Sequence, residues 1–156
     1  MQGGGMMAEF DIEFPDDFLS ELLDTDFDEI AEEALNETAP ILEESMKQSC
    51  KTVITHEGDS EMVDSIKSSK PNRTKTDAWI VNVSPKGYSK TKVYHHTRTG
   101  RIYPVSNALK AIWKEYGIPG RQPPRPFITS ACNRVRDKVM SRMQEIYNRK
   151  VGADGS

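Results

Sequence analysis

Opposite charges occupy the two halves of this 156-residue chain. Residues 1–66 hold 19 of the 24 acidic residues and 2 of the 21 basic ones, a net charge of −17, whereas residues 67–156 have a net charge of +14. Such asymmetry indicates either an intramolecular match of opposite surfaces or a polar subunit that stacks head to tail on copies of itself. The remaining alternative is two solvated faces without a specific role. The head-to-tail interpretation fails if the two regions neutralise one another within a single isolated molecule and no neighbouring copy touches them.

The length predicts one domain with a single hydrophobic core. We expect no membrane span, because the sequence has no apolar run of roughly 18 residues. The acidic N-terminus, rich in Gly and Met, lacks the pattern of a secretory signal peptide. Cys50 and Cys132 lie far apart in helical surroundings, which favours reduced thiols in a cytosolic setting over a disulfide framework.

Apolar residues at steps of three to four predict several helices. The expected helices cover about 16–23, 26–51, 59–66, 107–116 and 127–150. Pro40 removes a helical hydrogen bond, so we expect a kinked helix or two abutting helices there. Residues 1–15 are predicted to be a flexible N-terminal arm and 151–156 a disordered tail, on either side of a single domain over 16–150.

Alternating residues over 77–84 (DAWIVNVS) predict a strand, and 90–97 and 101–105 are two further candidates. The tight turns between them favour antiparallel pairing. The predicted fold class is therefore α+β, with a small antiparallel sheet of three or four strands packed by long N-terminal and C-terminal helices. The expected core is Leu35, Ile41, Leu42, Met46, Trp79, Val81, Val83, Leu109, Ile112, Trp113, Ile128, Val135, Val139 and Met143.

Catalytic patterns are absent from the sequence: it has no phosphate-binding Gly-rich loop, no HExxH and no GxSxG. His95 and His96 are neighbours on a predicted strand, so they point to opposite faces and cannot chelate zinc together. Cys50 ends an acidic helix, where carboxylates disfavour the thiolate. We therefore expect no enzyme and no catalytic, cofactor or metal residues. A small hydrolase would depend only on the histidines and acidic pairs.

The basic final helix supports an alternative function, a nucleic-acid-binding accessory protein. Its cations are Arg134, Arg136, Lys138, Arg142, Arg149 and Lys150. The strongly acidic first 66 residues argue against that function, and pairing with an acidic protein surface is the simpler interpretation.

The most distinctive local segment is the loop GIPGRQPPRPF (117–127). Its prolines lower the entropy lost when the loop docks, and Arg121 and Arg125 can make bidentate contacts to carboxylates. Tyr116 and Phe127 flank these arginines. We interpret the loop as an assembly contact, and the alternative is a rigid connector between two helices.

The order of these features resembles a known family. EIAEEALNETAPILEESMK is followed by GDSEMVDSIK, WIVNV, EYG and RQPPRPF, and then by a long helix. Over about residues 27–150 this order is similar to the phage morphogenesis family typified by the gene-ten product of a lambdoid siphophage. The family's Glu-x-Gly and Pro-x-x-Pro-Phe patterns are kept over 115–117 and 123–127. Its Asp-Thr-Gly-x-Leu pattern before Ser-Ile is kept only in part over 60–66.

The resemblance implies a structural subunit of a long-tailed bacteriophage, a head–tail joining or tail-completion (neck) protein that forms a ring between connector and tail. The implied partners are further copies of the chain, a connector or stopper, and tail-terminator or tail-tube proteins. DNA would be passing cargo, no membrane would be involved, and the location would be the virion neck, with host cytoplasm during assembly. Ring contacts are heterologous, and complementary charge sets their orientation. The expected assembly contacts are Tyr116, Gly117, Arg121, Arg125, Phe127, Arg134, Arg142, Glu29 and Glu33.

Overall fold

The computed structural model describes residues 27–55 and 59–154, in which helices flank a set of short strands. The helices are α1 (Phe27–Val53), α2 (Ser60–Asp64), α3 (Asn107–Tyr116) and α4 (Ile128–Asp154). The strands are β1 (Ile66–Ser68), β2 (Asn72–Arg73), β3 (Trp79–Ile80), β4 (Val83–Pro85), β5 (Tyr88–His95) and β6 (Ile102–Ser106). The predicted arm and the predicted helix over 16–23 lie outside the described residues.

The two long helices, α1 and α4, pack antiparallel and form most of the core. Lys150 of α4 pairs with Glu29 near the start of α1, while Ser45 near the other end donates to the Ala131 carbonyl oxygen. Apolar residues at three- and four-residue steps line the contact, and each larger buried side chain contributes about 1.5–3 kcal/mol. The buried residues of α4 are Ala131, Val135, Val139, Met143 and Ile146.

A single helix runs through Pro40. The alternative of two abutting helices is therefore wrong. Pro40 lies on the exposed face beside exposed Asn36, whose carbonyl would accept the hydrogen bond that proline cannot donate. Water can reach that carbonyl on the exposed face. The last helix also continues to Asp154, beyond the expected end at 150, so the predicted tail is partly helical.

The strands form three separate two-stranded antiparallel sheets: β1 with β4, β2 with β3, and β5 with β6. The α+β class with small antiparallel sheets and long terminal helices is confirmed, whereas one sheet of three or four strands is wrong within the described residues. The predicted strand over 77–84 divides because its two ends pair with different partners. Trp79 lies opposite Arg73, and Val83 lies opposite Ser68.

Helix α3 buries its polar face. Ser106 caps its N-terminus by accepting a hydrogen bond from the Leu109 N–H at 3.1 Å. The buried residues of α3 are Asn107, Lys110, Ala111, Lys114 and Glu115. Leu109, Ile112 and Trp113 are only half-buried, so placing them in the core was wrong.

The rest of the expected core divides into two groups. The residues confirmed as buried are Leu35, Leu42, Met46, Val81, Val83, Val135, Val139 and Met143. Ile41, Trp79 and Ile128 are partly buried against that core.

Candidate functional site

Ion pairs connect the acidic face of α1 to the basic face of α4. Lys150 Nζ lies 3.1 Å from a Glu29 oxygen and 2.8 Å from a Glu33 oxygen. Arg149 also pairs with Glu33, and Arg142 pairs with Glu37. These contacts join the two charge blocks of the sequence within one molecule.

Three of the expected assembly contacts are therefore used inside the chain. Glu29, Glu33 and Arg142 face partners of their own molecule. The intramolecular match is the alternative that the structure shows for the long helices, and the assembly contacts expected at Glu29, Glu33 and Arg142 stay a prediction. Arg134 of α4 is exposed, and within the described chain it makes no ion pair.

The pairing also shifts the ionisation of these groups. The hydrogen bond from Lys150 lowers the pKa of Glu33 below its usual value. The same bond, with a second one to Glu29, raises the pKa of Lys150. For Arg142, hydrogen bonds to Glu145 and Glu37 raise the pKa. All three groups stay charged at neutral pH, so the α1–α4 ion pairs persist there.

Glu115 fixes the Pro-rich loop to the start of α4. Its buried carboxylate accepts hydrogen bonds from the backbone N–H groups of Phe127 and Ile128, both at 2.8 Å. It also accepts from the backbone N–H and the hydroxyl of Thr129, at 3.2 and 2.5 Å. A carboxylate that satisfies several free N–H groups at a helix N-terminus is a strong cap. This contact gives the EYG motif a structural role.

Backbone contacts also fix the Pro-rich loop to the end of α3. The Arg125 N–H donates to the Lys114 carbonyl oxygen at 2.7 Å. Gly117 has φ of +76°, and a Cβ there would lie 2.7 Å from the Gln122 carbonyl oxygen and 2.7 Å from the Pro124 nitrogen. Glycine is therefore required for the close approach of the chain at this turn.

The expected assembly contacts in and beside the Pro-rich loop differ in their exposure. Phe127 is 1% exposed, so it belongs to the core and its assignment as a surface contact was wrong. Gly117 acts through backbone geometry. Tyr116, at 62% exposure, and the exposed Arg121 and Arg125 stand at the surface on this fixed loop.

An ionic cluster with a buried centre at Asp59 and partly exposed outer members, missed by the sequence analysis, lies between α2, α3 and β5. Asp59 is 1% exposed and accepts from Lys92 at 3.1 Å, while Lys110 lies 3.3 Å from it and Lys114 lies 3.6 Å from it. Glu61 accepts from Lys110 at 3.2 Å. We refer to Asp59, Glu61, Lys92, Lys110 and Lys114 as the ionic cluster.

The cluster keeps its carboxylates charged. Burial would raise the pKa of Asp59, but the hydrogen bonds and charges of Lys92 and Lys110 outweigh it and lower the pKa. For Glu61, a hydrogen bond from Ser89 has the largest effect and lowers the pKa. Cys50 lies nearby, and burial with the Asp59 charge raises its pKa to about 12. The thiol is therefore protonated and unreactive at neutral pH.

The cluster anchors a hairpin made by β5 and β6. Lys92 reaches Asp59, the Ser89 hydroxyl donates to Glu61 at 2.6 Å, and the Lys90 backbone N–H donates to Glu61 at 3.1 Å. These contacts hold the base of the hairpin on α2. The register above them pairs Val93 with Pro104, Tyr94 with Tyr103 and His95 with Ile102.

Above its base the hairpin is exposed on both faces, and every residue over 90–104 is exposed. One face has Val93 at 55% and Ile102 at 59% exposure. The opposite face has Tyr94 stacked on Tyr103, with ring centroids 5.5 Å apart. A two-stranded hairpin is only marginally stable in water, and this one exposes apolar side chains on both of its faces.

The described residues offer few groups for other kinds of site. Within 27–55 and 59–154, no set of three or more His, Cys, Asp and Glu side chains is arranged to hold a metal ion. Among the helices described, none combines the length and the apolar character that a membrane span needs. Comparison with protein-family models, curated proteins and solved structures finds no match to this chain.

Proposed function

We propose that the chain is a structural subunit of the neck of a long-tailed bacteriophage, a head–tail joining or tail-completion protein that forms a ring with further copies. The observation that carries this proposal is the anchored hairpin whose two apolar faces are both exposed. A ring subunit needs a surface that is exposed in the single molecule and covered in the assembly. The order of motifs in the sequence, from the acidic helix to RQPPRPF, resembles that of the phage morphogenesis family, and this resemblance is the reason for proposing a phage neck as the assembly.

The Pro-rich loop supports the same function. Glu115 caps α4 and fixes the loop, so Tyr116, Arg121 and Arg125 are presented without a large loss of entropy on binding. A preformed loop beside an exposed hairpin gives the subunit two contact surfaces. We propose that one meets a connector or stopper and that the other meets a neighbouring subunit or a tail protein.

The nucleic-acid alternative depends on the cations of α4. Arg142 and Arg149 are bound to α1 carboxylates, and so is Lys150. Only Arg134, Arg136 and Lys138 remain as exposed cations of that helix without a carboxylate partner in the described chain. A subunit of a ring through which DNA passes as cargo therefore accounts better for the arrangement of the α4 cations.

The proposed function is tested by sedimentation velocity and negative-stain microscopy of the purified full chain. We expect concentration-dependent rings of a single size. In phage particles that contain the protein, an antibody label should lie at the head–tail junction, and deletion of the gene should give separate heads and tails. A monomer at every concentration, together with joined particles in the deletion, would contradict the proposal.

A further inference from the structure

The hairpin region has charge of one sign. Residues 86–101 contain five Lys and Arg residues and no Asp or Glu. Lys92 is held by the ionic cluster, but Lys90, Arg98 and Arg101 are exposed and make no ion pair with a described carboxylate. The surface offered to a partner is therefore both apolar and basic, which requires a partner that is apolar and acidic.

The chain itself contains a segment of that chemistry. Residues 1–26 precede α1 and hold eight acidic residues and no basic one. Most of these alternate with large apolar residues over 9–26 (EFDIEFPDDFLSELLDTD). The acidic residues of α1 and α2 are largely paired within the described chain. Residues 9–26 form a separate acidic block of the sequence.

The acidic segment and the hairpin connect to the described domain near opposite ends of α1. The acidic segment joins α1 at Phe27, where Asp28 contacts Trp79. The hairpin is anchored near the other end, where the ionic cluster lies beside Cys50 and where Lys114 contacts Thr55. A helix of 27 residues spans about 40 Å. The point where the acidic segment joins the domain and the anchor of the hairpin thus lie near opposite ends of α1.

We infer that residues 9–26 of one copy bind the β5–β6 hairpin of the next copy. The acidic side chains pair with Lys90, Arg98 and Arg101, and the apolar ones cover the faces of Val93 with Ile102 and Tyr94 with Tyr103. Each subunit uses each end once, which is the heterologous contact that closes into a ring. This inference rests on the proposed function and names the surface that joins the ring.

Two charge-reversed full-length variants test the inference. The hairpin variant has Lys90→Glu, Arg98→Glu and Arg101→Glu, and the segment variant has Asp16→Lys, Asp17→Lys and Glu21→Lys. In either variant alone, like charges face one another, and we expect self-association about 100-fold weaker than in the wild type. An equal mixture places opposite charges at every contact and should restore assembly to near the wild-type level, measured by sedimentation velocity.

A matched control reverses three exposed lysines away from the hairpin, Lys67→Glu, Lys70→Glu and Lys138→Glu, and should assemble like the wild type. The inference would be overturned if both reversed variants form rings as readily as the wild type, or if their mixture stays dissociated. Either result would leave the proposed ring function itself unaffected. A wild type that never associates would overturn the proposed function itself. A hairpin variant that assembles normally but no longer retains double-stranded DNA would overturn the inference in favour of nucleic-acid binding.

Discussion

The α1–α4 helix pair and the β5–β6 hairpin are both rich in charge, but they use it in opposite ways. The helix pair brings acidic and basic faces together over a buried apolar contact, so its charges are neutralised within one molecule. The hairpin has cations without acidic residues of its own and apolar side chains on two exposed faces. The helix pair thus satisfies its own charges, whereas we propose that the hairpin is completed by contact with a partner.

The ionic cluster lies between these two regions, and its loss should have the largest effect on stability. Replacing Asp59 with Ala leaves Lys114 buried without a carboxylate and Lys110 with Glu61 as its remaining carboxylate partner, which costs about 3–5 kcal/mol of unfolding free energy. Urea unfolding followed by circular dichroism measures this loss. The control is Asp64→Ala at an exposed position of α2, which should change little. Equal losses in the two variants would show that the cluster does not stabilise the fold.

One substitution made in both regions compares them directly. Ile146→Ala opens a cavity in the helix pair and should cost about 2–5 kcal/mol. Ile102→Ala removes an exposed side chain and should cost less than about 1 kcal/mol. The order should reverse for assembly: Ile102→Ala weakens the ring, while Ile146→Ala, below its unfolding temperature, does not. Similar unfolding free energies for the two variants would remove the distinction between the regions.

Loss of the Glu115 cap should have an intermediate effect. Glu115→Ala leaves the N–H groups of Phe127, Ile128 and Thr129 without their acceptor, and about 2 kcal/mol of unfolding free energy is expected to be lost. Hydrogen exchange should rise at the start of α4 and in the loop. Glu32→Ala at an exposed position of α1 is the control. Unchanged exchange at Ile128 and Thr129 would contradict the capping role.

Acid should weaken the ionic cluster by a smaller amount. The pKa of Asp59 is below its ordinary value of 3.8 in the folded protein, so its charge stabilises the fold above that value. This stability is lost as the pH falls through the folded pKa. The wild type should therefore lose more unfolding free energy than Asp59→Asn between about pH 5 and pH 2. Parallel pH profiles would show that Asp59 does not titrate with a depressed pKa.

Local pattern predicts the parts of the fold that local interactions determine. The apolar period places α1, α3 and α4 within a few residues of their observed bounds. The break of the predicted strand over 77–84 could not be predicted, because it depends on two partner strands elsewhere in the chain.

Long-range pairing also decides what α3 buries. Its apolar stripe predicts Leu109, Ile112 and Trp113 as core. Instead, Lys110 and Lys114 are buried, because they pair with Asp59, which lies some 50 residues earlier in the chain. No local period identifies such a partner. The same holds for the long helices, whose charge pattern does not reveal that Glu29, Glu33 and Arg142 are paired within one molecule. The assembly contacts predicted from the sequence lie on α1, on α4 and on the Pro-rich loop with its flanking residues. They do not include the hairpin that we propose as the assembly surface, whose signal in the sequence is a basic segment without acidic residues.

Hydrogen exchange of the full chain, compared between dilute and assembled samples, tests the central claim most directly. If the hairpin is the surface covered in the ring, the backbone amides over 90–104 should become protected as the protein assembles, while those in the middle of α1 and α4 keep the protection they have when dilute. Rings that form while residues 90–104 exchange as fast as in the dilute protein would contradict the account.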